Sequence, residues 1–174
     1  MRPSKREELV REAARIFYRN GFHATGMDAL VAETGISKTT MFKHFRTKED
    51  LILAALGYRD EFFRNWLICR IEKLADTPDA RLLALYDVLT EWFGQPDFNG
   101  CMFIKAAAEY QNLAHPINVQ SAEHKRRLFH YVAGLARDAK ASDPDGLARQ
   151  LLLLKEGAIV ARHMGYEPDP AGDA

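Results

Sequence analysis

The stretch Phe17–Leu51, FYRNGFHATGMDALVAETGISKTTMFKHFRTKEDL, reads as two short helices joined by a tight turn. Thr25, with Asp28 three residues on, resembles a capping box opening a helix over Met27 to Thr34, and Gly35 supplies the turn that stops it. Ser37 then caps a helix from Lys38 to about Phe45, with Met41 and Phe45 on one side and Lys38, Thr39, Lys43 and His44 on the other. Leu30 and Ile36 are placed to lock the pair together. A polar, basic second helix set against a short first one is the layout that lays a recognition helix in the major groove of DNA. Two plain core helices share that outline, so the surrounding sequence has to decide.

Outward from this stretch the period remains helical, with no sustained alternation and no Asn-Gly or Asp-Gly hairpin signal. The expected fold is all-α, with about eight helices. Ser4 caps a first helix whose inward face is Leu9, Val10, Ala13, Ile16 and Phe17; Gly21 ends it and Phe22 packs back. A long helix runs from Thr47 or Lys48 to about Ala75. Pro78 starts a fifth, which halts at the loop Gly94 to Gly100. A sixth is expected over about Cys101 to Asn112, a seventh from Pro116 to about Lys140, and an eighth, capped by Asp143, to about His163.

Apolar residues make up 47% of the 174-residue chain and charged residues 28%, values of an ordinary globular protein rather than a disordered or fibrous one. The net charge of zero conceals an asymmetry: residues 1–48 hold ten Lys or Arg against five acids, leaving fourteen basic and nineteen acidic residues for the remainder. A basic segment on an acidic body suits phosphate contact at one end only, where cations displace counterions from nucleic acid. The two cysteines, Cys69 and Cys101, fit neither a disulfide framework nor a zinc motif, and the charged start lacks the apolar run of a signal peptide. A cytoplasmic protein with no membrane span is expected. His124 and His130 share a helix six residues apart, a spacing that does not put them on one face, so no metal is expected; nor is any cofactor. No Gly-rich phosphate loop, Ser-His-Asp arrangement or paired carboxylates emerge in a recognisable context, and the chain is read as no enzyme.

With Phe17, Gly21, Thr25, Leu30, Gly35, Ser37, Lys38, Phe45, Lys48 and Leu51 at matching positions, the opening stretch resembles the DNA-binding signature of the TetR family of transcriptional regulators. That resemblance implies a helix-turn-helix DNA-binding domain in residues 1–48 and a helical ligand-binding and dimerisation domain in residues 49–174. It implies phosphate contacts from Thr25, His44 and Lys48, and base contacts from Lys38, Thr39, Thr40 and Lys43, with Ser37 at the head of the recognition helix. Two positions depart from the pattern. Val31 stands where the family usually has Ala, and Phe42 replaces a Tyr whose hydroxyl commonly touches a phosphate.

In the body, the aromatic density of Phe62, Phe63, Trp66, Tyr86, Trp92, Phe93, Phe103 and Tyr110 marks candidate lining for a small-molecule pocket, with Cys101 beside them at a helix N-terminus. There the helix dipole favours a thiolate, which raises oxidant or electrophile sensing against the plainer role of a small packed hydrophobe. Small residues let helices approach closely, and the family resemblance makes the last two helices the dimer contact; Ala133, Gly134, Leu151, Gly157, Ala158 and Ala161 are the candidates. The implied activity is that of a repressor: a homodimer on a palindromic double-stranded operator, released by a small-molecule inducer. The rivals are a small-molecule-binding helical protein or enzyme without specific DNA binding, and a DNA-binding dimer without a ligand.

Overall fold

The computed structural model describes residues 4–174, which form eight α-helices and no strand. They are α1 (Lys5–Asn20), α2 (Met27–Thr34), α3 (Lys38–His44), α4 (Lys48–Leu74), α5 (Pro78–Phe93), α6 (Met102–Glu109), α7 (Pro116–Asp138) and α8 (Pro144–Met164). The chain divides into two compact units, one holding residues up to Phe62 together with Met102–His124, the other Phe63–Cys101 with Lys125–Ala174.

In the first unit α1 begins with a complete capping box: Ser4 Oγ accepts from the Glu7 amide, and the Glu7 carboxylate accepts from the Ser4 amide at 2.7 Å. The amphipathic face read from the sequence is the buried one, with Leu9, Ala13, Ile16 and Phe17 sealed from solvent. Phe22 folds back after the helix and stacks on Phe17 with ring centroids 5.4 Å apart. Leu30 of α2, Met41 of α3 and Leu51 and Ile52 of α4 are likewise buried, so each helix contributes its apolar stripe to this core. Each such side chain contributes roughly 1.5–3 kcal/mol by leaving water.

The second unit packs α5 against α8. Leu82, Leu85, Leu89, Trp92 and Phe93 form the buried side of α5, and Ala148, Ala158, Ile159 and Ala161 that of α8. Tyr86 donates its hydroxyl to the Leu151 carbonyl at 2.8 Å, and burial raises its phenol to about 12. Arg162 donates to the Phe93 carbonyl at the end of α5.

Three local expectations are corrected. The α2 N-cap is Gly26 and not Thr25: the chain needs one more extended residue, and the buried Thr25 hydroxyl turns back to donate to the Gly21 carbonyl at 2.7 Å. Asp28, expected as the other half of a capping box, pairs with Lys38 instead. Helix α6 ends at Glu109, three residues short of Asn112, because local polar groups reward a turn: the Asn112 carboxamide oxygen accepts from the Ala114 amide, and the Asn118 side chain donates to the Tyr110 carbonyl. Helix α7 closes at Asp138, and Lys140 takes a left-handed φ of 58°.

Candidate nucleic-acid interface

The geometry of α2 and α3 follows from a few local bonds. Gly35 adopts a left-handed φ of 68° and returns its amide to the Val31 carbonyl, which closes α2 at the turn. Thr34 ties that turn through its hydroxyl, which donates to Leu30 and accepts from the Ile36 amide. Ser37 accepts from the Thr40 amide at 3.2 Å, and its hydroxyl also bonds that of Thr40 at 2.9 Å. Met41 and Phe45 anchor the inner side of α3.

What remains outward is Lys38, Thr39, Phe42, Lys43 and His44, all exposed, with Thr40 half-buried. Lys38 holds the Asp28 carboxylate at 3.0 Å, a pair in which the side chains are 54% and 89% exposed. Such solvated pairs are worth at most about 1 kcal/mol, so Lys38 can exchange its partner for a base or phosphate at little cost. Beside Asp28, α2 starts from Gly26 without a side-chain cap, so no cap side chain accepts from its first amides. The sequence hides this feature, because the spacing of Thr25 and Asp28 imitates a cap. Phe42, 45% exposed, offers that surface an apolar ring where a hydroxyl was the expected group.

Two of the expected phosphate contacts are placed differently from the exposed face. Thr25 is 1% exposed. Lys48, the first residue of α4, donates to the carbonyls of Phe22 at 3.0 Å and Thr25 at 3.2 Å, fastening the α1–α2 turn. His44, by contrast, is exposed at the last turn of α3 beside Lys43.

The pocket candidates do not form one group. In the second unit Phe63 stands 4.7 Å from Trp92 and 5.7 Å from Trp66, and Phe98, which sequence reasoning missed because it lies in the loop, packs edge-on against Trp92 and Phe93. Phe62 is exposed. Phe103 and Tyr110 lie in the first unit: Phe103 stacks on the ring of buried His124 at 3.7 Å, whose Nδ1 is 2.7 Å from Asp60. Cys101 is buried and takes a bond from Lys125 Nζ at 3.4 Å; Lys125 also bonds Glu156, which reaches the fully buried Lys155 at 2.8 Å. Burial opposes the charge on Lys125, but the neighbouring Cys101 sulfur and Glu156 raise it overall. Burial and then Lys125 push Lys155 down, while the two ammonium groups outweigh burial and hold Glu156 at about 2. No group of three or more His, Cys, Asp or Glu fit to hold a metal lies among the described residues.

Of the dimer candidates, Ala133, Ala158 and Ala161 are buried within the chain, Gly134 and Leu151 are half-buried, and Gly157 is exposed. The outward stripe of α8 is Leu153, Gly157, Val160 and Met164, spaced at three and four residues, and Leu153 and Met164 are about 70% exposed. A groove of about 760 Å³ lies along this helix, lined by Leu153, Leu154, Gly157, Ala158, Ala161 and Tyr166 among others.

Residues 9–55 match the model of the family described as bacterial regulatory proteins, tetR family. Among solved structures, SCO4454, a TetR-family transcriptional regulator from Streptomyces coelicolor, is 31% identical, covers 95% of this chain and 85% of its own, and superposes with a TM-score of 0.85. A putative TetR transcriptional regulator from Streptomyces avermitilis is 33% identical, with 95% and 89% covered and a TM-score of 0.82. The HTH-type transcriptional regulator YjdC of Escherichia coli is 24% identical over 155 residues, 89% of this chain and 81% of that protein.

Proposed function

This chain belongs to the TetR family of DNA-binding, helix-turn-helix transcriptional regulators, and from that premise we propose that it is a homodimeric repressor released from a palindromic operator by a small-molecule inducer. The observation that carries the reading is the outward face of α3, where a capped helix presents Lys38, Thr39, Lys43 and His44 with only a solvated ion pair to exchange. Lys38, Thr39, Thr40 and Lys43 address base edges, where Lys suits guanine and Thr a thymine methyl. His44 and the uncapped start of α2 hold phosphates. Thr25 and Lys48 contribute by fixing the α1–α2 turn.

Residues 1–48 serve as the DNA-binding domain and residues 49–174 as the ligand-binding and dimerisation domain. The apolar stripe of α8 supports the dimer, since exposed Leu and Met on a long helix favour burial against a second copy. Two recognition helices then stand about 34 Å apart, one turn of DNA. The aromatic side chains of the body support a small-molecule site, and an inducer acts by binding the conformer unable to match that spacing. No described helix is long and apolar enough to cross a membrane, and the working compartment proposed is the cytoplasm.

A reporter driven by the chain's own upstream region tests the sign of regulation. Deletion of the regulator should raise expression, and addition of an effective inducer should mimic that deletion; lower expression on deletion would make it an activator.

A further inference from the structure

Helix α6 belongs to the same compact unit as α1, α2 and α3, and it ends on a carboxylate that grips the turn leading into the helix-turn-helix. Glu109 accepts from the Phe22 amide at 2.9 Å and 3.2 Å and from the His23 amide at 2.5 Å, with the His23 ring nitrogen 3.2 Å away. One turn earlier on α6, Lys105 donates to the Tyr18 carbonyl at 3.2 Å and lies over the Tyr18 ring at 5.4 Å. The signs match the chemistry: an ammonium meets a carbonyl at the end of α1, and a carboxylate meets amides just past it. On the other side of the turn, Lys48 holds the carbonyls of Phe22 and Thr25. Gly21 makes the approach possible. Its φ is 83°, and a Cβ there would stand 2.9 Å from Glu109 Oε1.

We propose that Glu109, assisted by Lys105, is a positioning pair through which α6 sets the orientation of the reading head, and so the operator half-site spacing that the dimer accepts. The pair touches no DNA. Charge-assisted bonds to backbone amides are the stronger kind, and two neighbouring amides on one carboxylate fix direction as well as distance. A loosened turn leaves α2 and α3 folded, because the Gly35 turn that closes α2, the Ser37 cap of α3 and the buried Leu30 and Met41 do not involve Glu109. What changes is the freedom of the head to swing. The inference rests on the dimeric DNA-binding reading above and adds the residues that fix its geometry.

The test uses the full chain and a set of DNA duplexes carrying two half-sites, selected by the wild-type protein from random sequence, with the central gap varied one base pair at a time. Wild type should prefer one gap. Glu109→Ala should bind about tenfold more weakly at that gap while changing little at the others, with the salt dependence kept because the phosphate contacts are intact. Lys105→Met should show the same flattening to a smaller degree, and it serves where Glu109→Ala fails to fold. Amide exchange of the DNA-free protein provides a second readout: Phe22 and His23 should exchange at least about tenfold faster in Glu109→Gln, with α5 and α8 unchanged. A spacing profile like wild type, or an equal weakening at every gap, would overturn the proposal while leaving the DNA-binding reading in place. Wild type showing no gap preference at all would overturn both.

Discussion

Lys38 and Thr39, the residues proposed to read bases, are exposed and carry little of the folding energy. Their side chains face solvent at the start of α3, and the Asp28 partner of Lys38 adds at most about 1 kcal/mol. Replacing both with Ala should leave the melting temperature within a degree or two. Operator affinity should fall by about 1–3 kcal/mol for each base edge no longer addressed, read as a rise in Kd by fluorescence anisotropy. Unchanged affinity would remove α3 from base reading. Glu156 presents the opposite case, a residue of the second unit on which stability depends. It faces the ammonium groups of Lys125 and Lys155, and Glu156→Gln leaves both without their carboxylate, a change expected to cost about 3–5 kcal/mol. Its folded-state value of about 2 lies below the ordinary carboxylate range, so its stabilisation is complete above about pH 4.5 and is lost as pH falls through about 2. The depressed Lys155 acts over a separate window that opens as pH falls from about 10.5, where the unfolded chain binds that proton more readily. Thermal melts against pH should therefore show an acid-side decline in wild type that is shallower in Glu156→Gln.

At the scale of elements, helices are legible in the sequence wherever an apolar stripe meets a cap. Ser4, Ser37 and Asp143 all accept the bonds expected of them, and α5 begins and ends at Pro78 and Phe93. Misreadings arise where a polar side chain has two possible partners. Thr25 followed by Asp28 has the spacing of a capping box, but the Thr25 hydroxyl finds the Gly21 carbonyl and Asp28 finds Lys38, pairings that periodicity cannot reveal. Likewise the outward stripe of α8 is masked in the sequence by its small residues, of which Ala158 and Ala161 are buried within the chain. Two substitutions check the element-level account. Phe22→Ala removes a sealed ring stacked on Phe17 and should cost about 3–5 kcal/mol in denaturant unfolding. Lys140→Gly relieves a left-handed lysine after α7 and should stabilise the fold by about 1 kcal/mol, read as a higher urea midpoint with the slope unchanged.

For the whole molecule, family membership and fold agree with the asymmetry of charge between the basic first 48 residues and the acidic remainder. The aromatic residues of the body are visible in the sequence, but their grouping is not: Phe63, Trp66 and Trp92 pack together, whereas Phe103 joins His124 and Asp60. A stripe of Leu153, Gly157, Val160 and Met164 on α8 predicts a dimer that Leu153→Arg should shift toward monomer in sedimentation velocity. Sequence-selective DNA binding through α3 is tested most directly by titrating the protein against its own upstream region and against random duplex, from about 50 to 200 mM salt. A site bound about 10³-fold or more tighter than random DNA is expected, with log K falling linearly against log salt. Equal affinity for both duplexes, or affinity indifferent to salt, would contradict it.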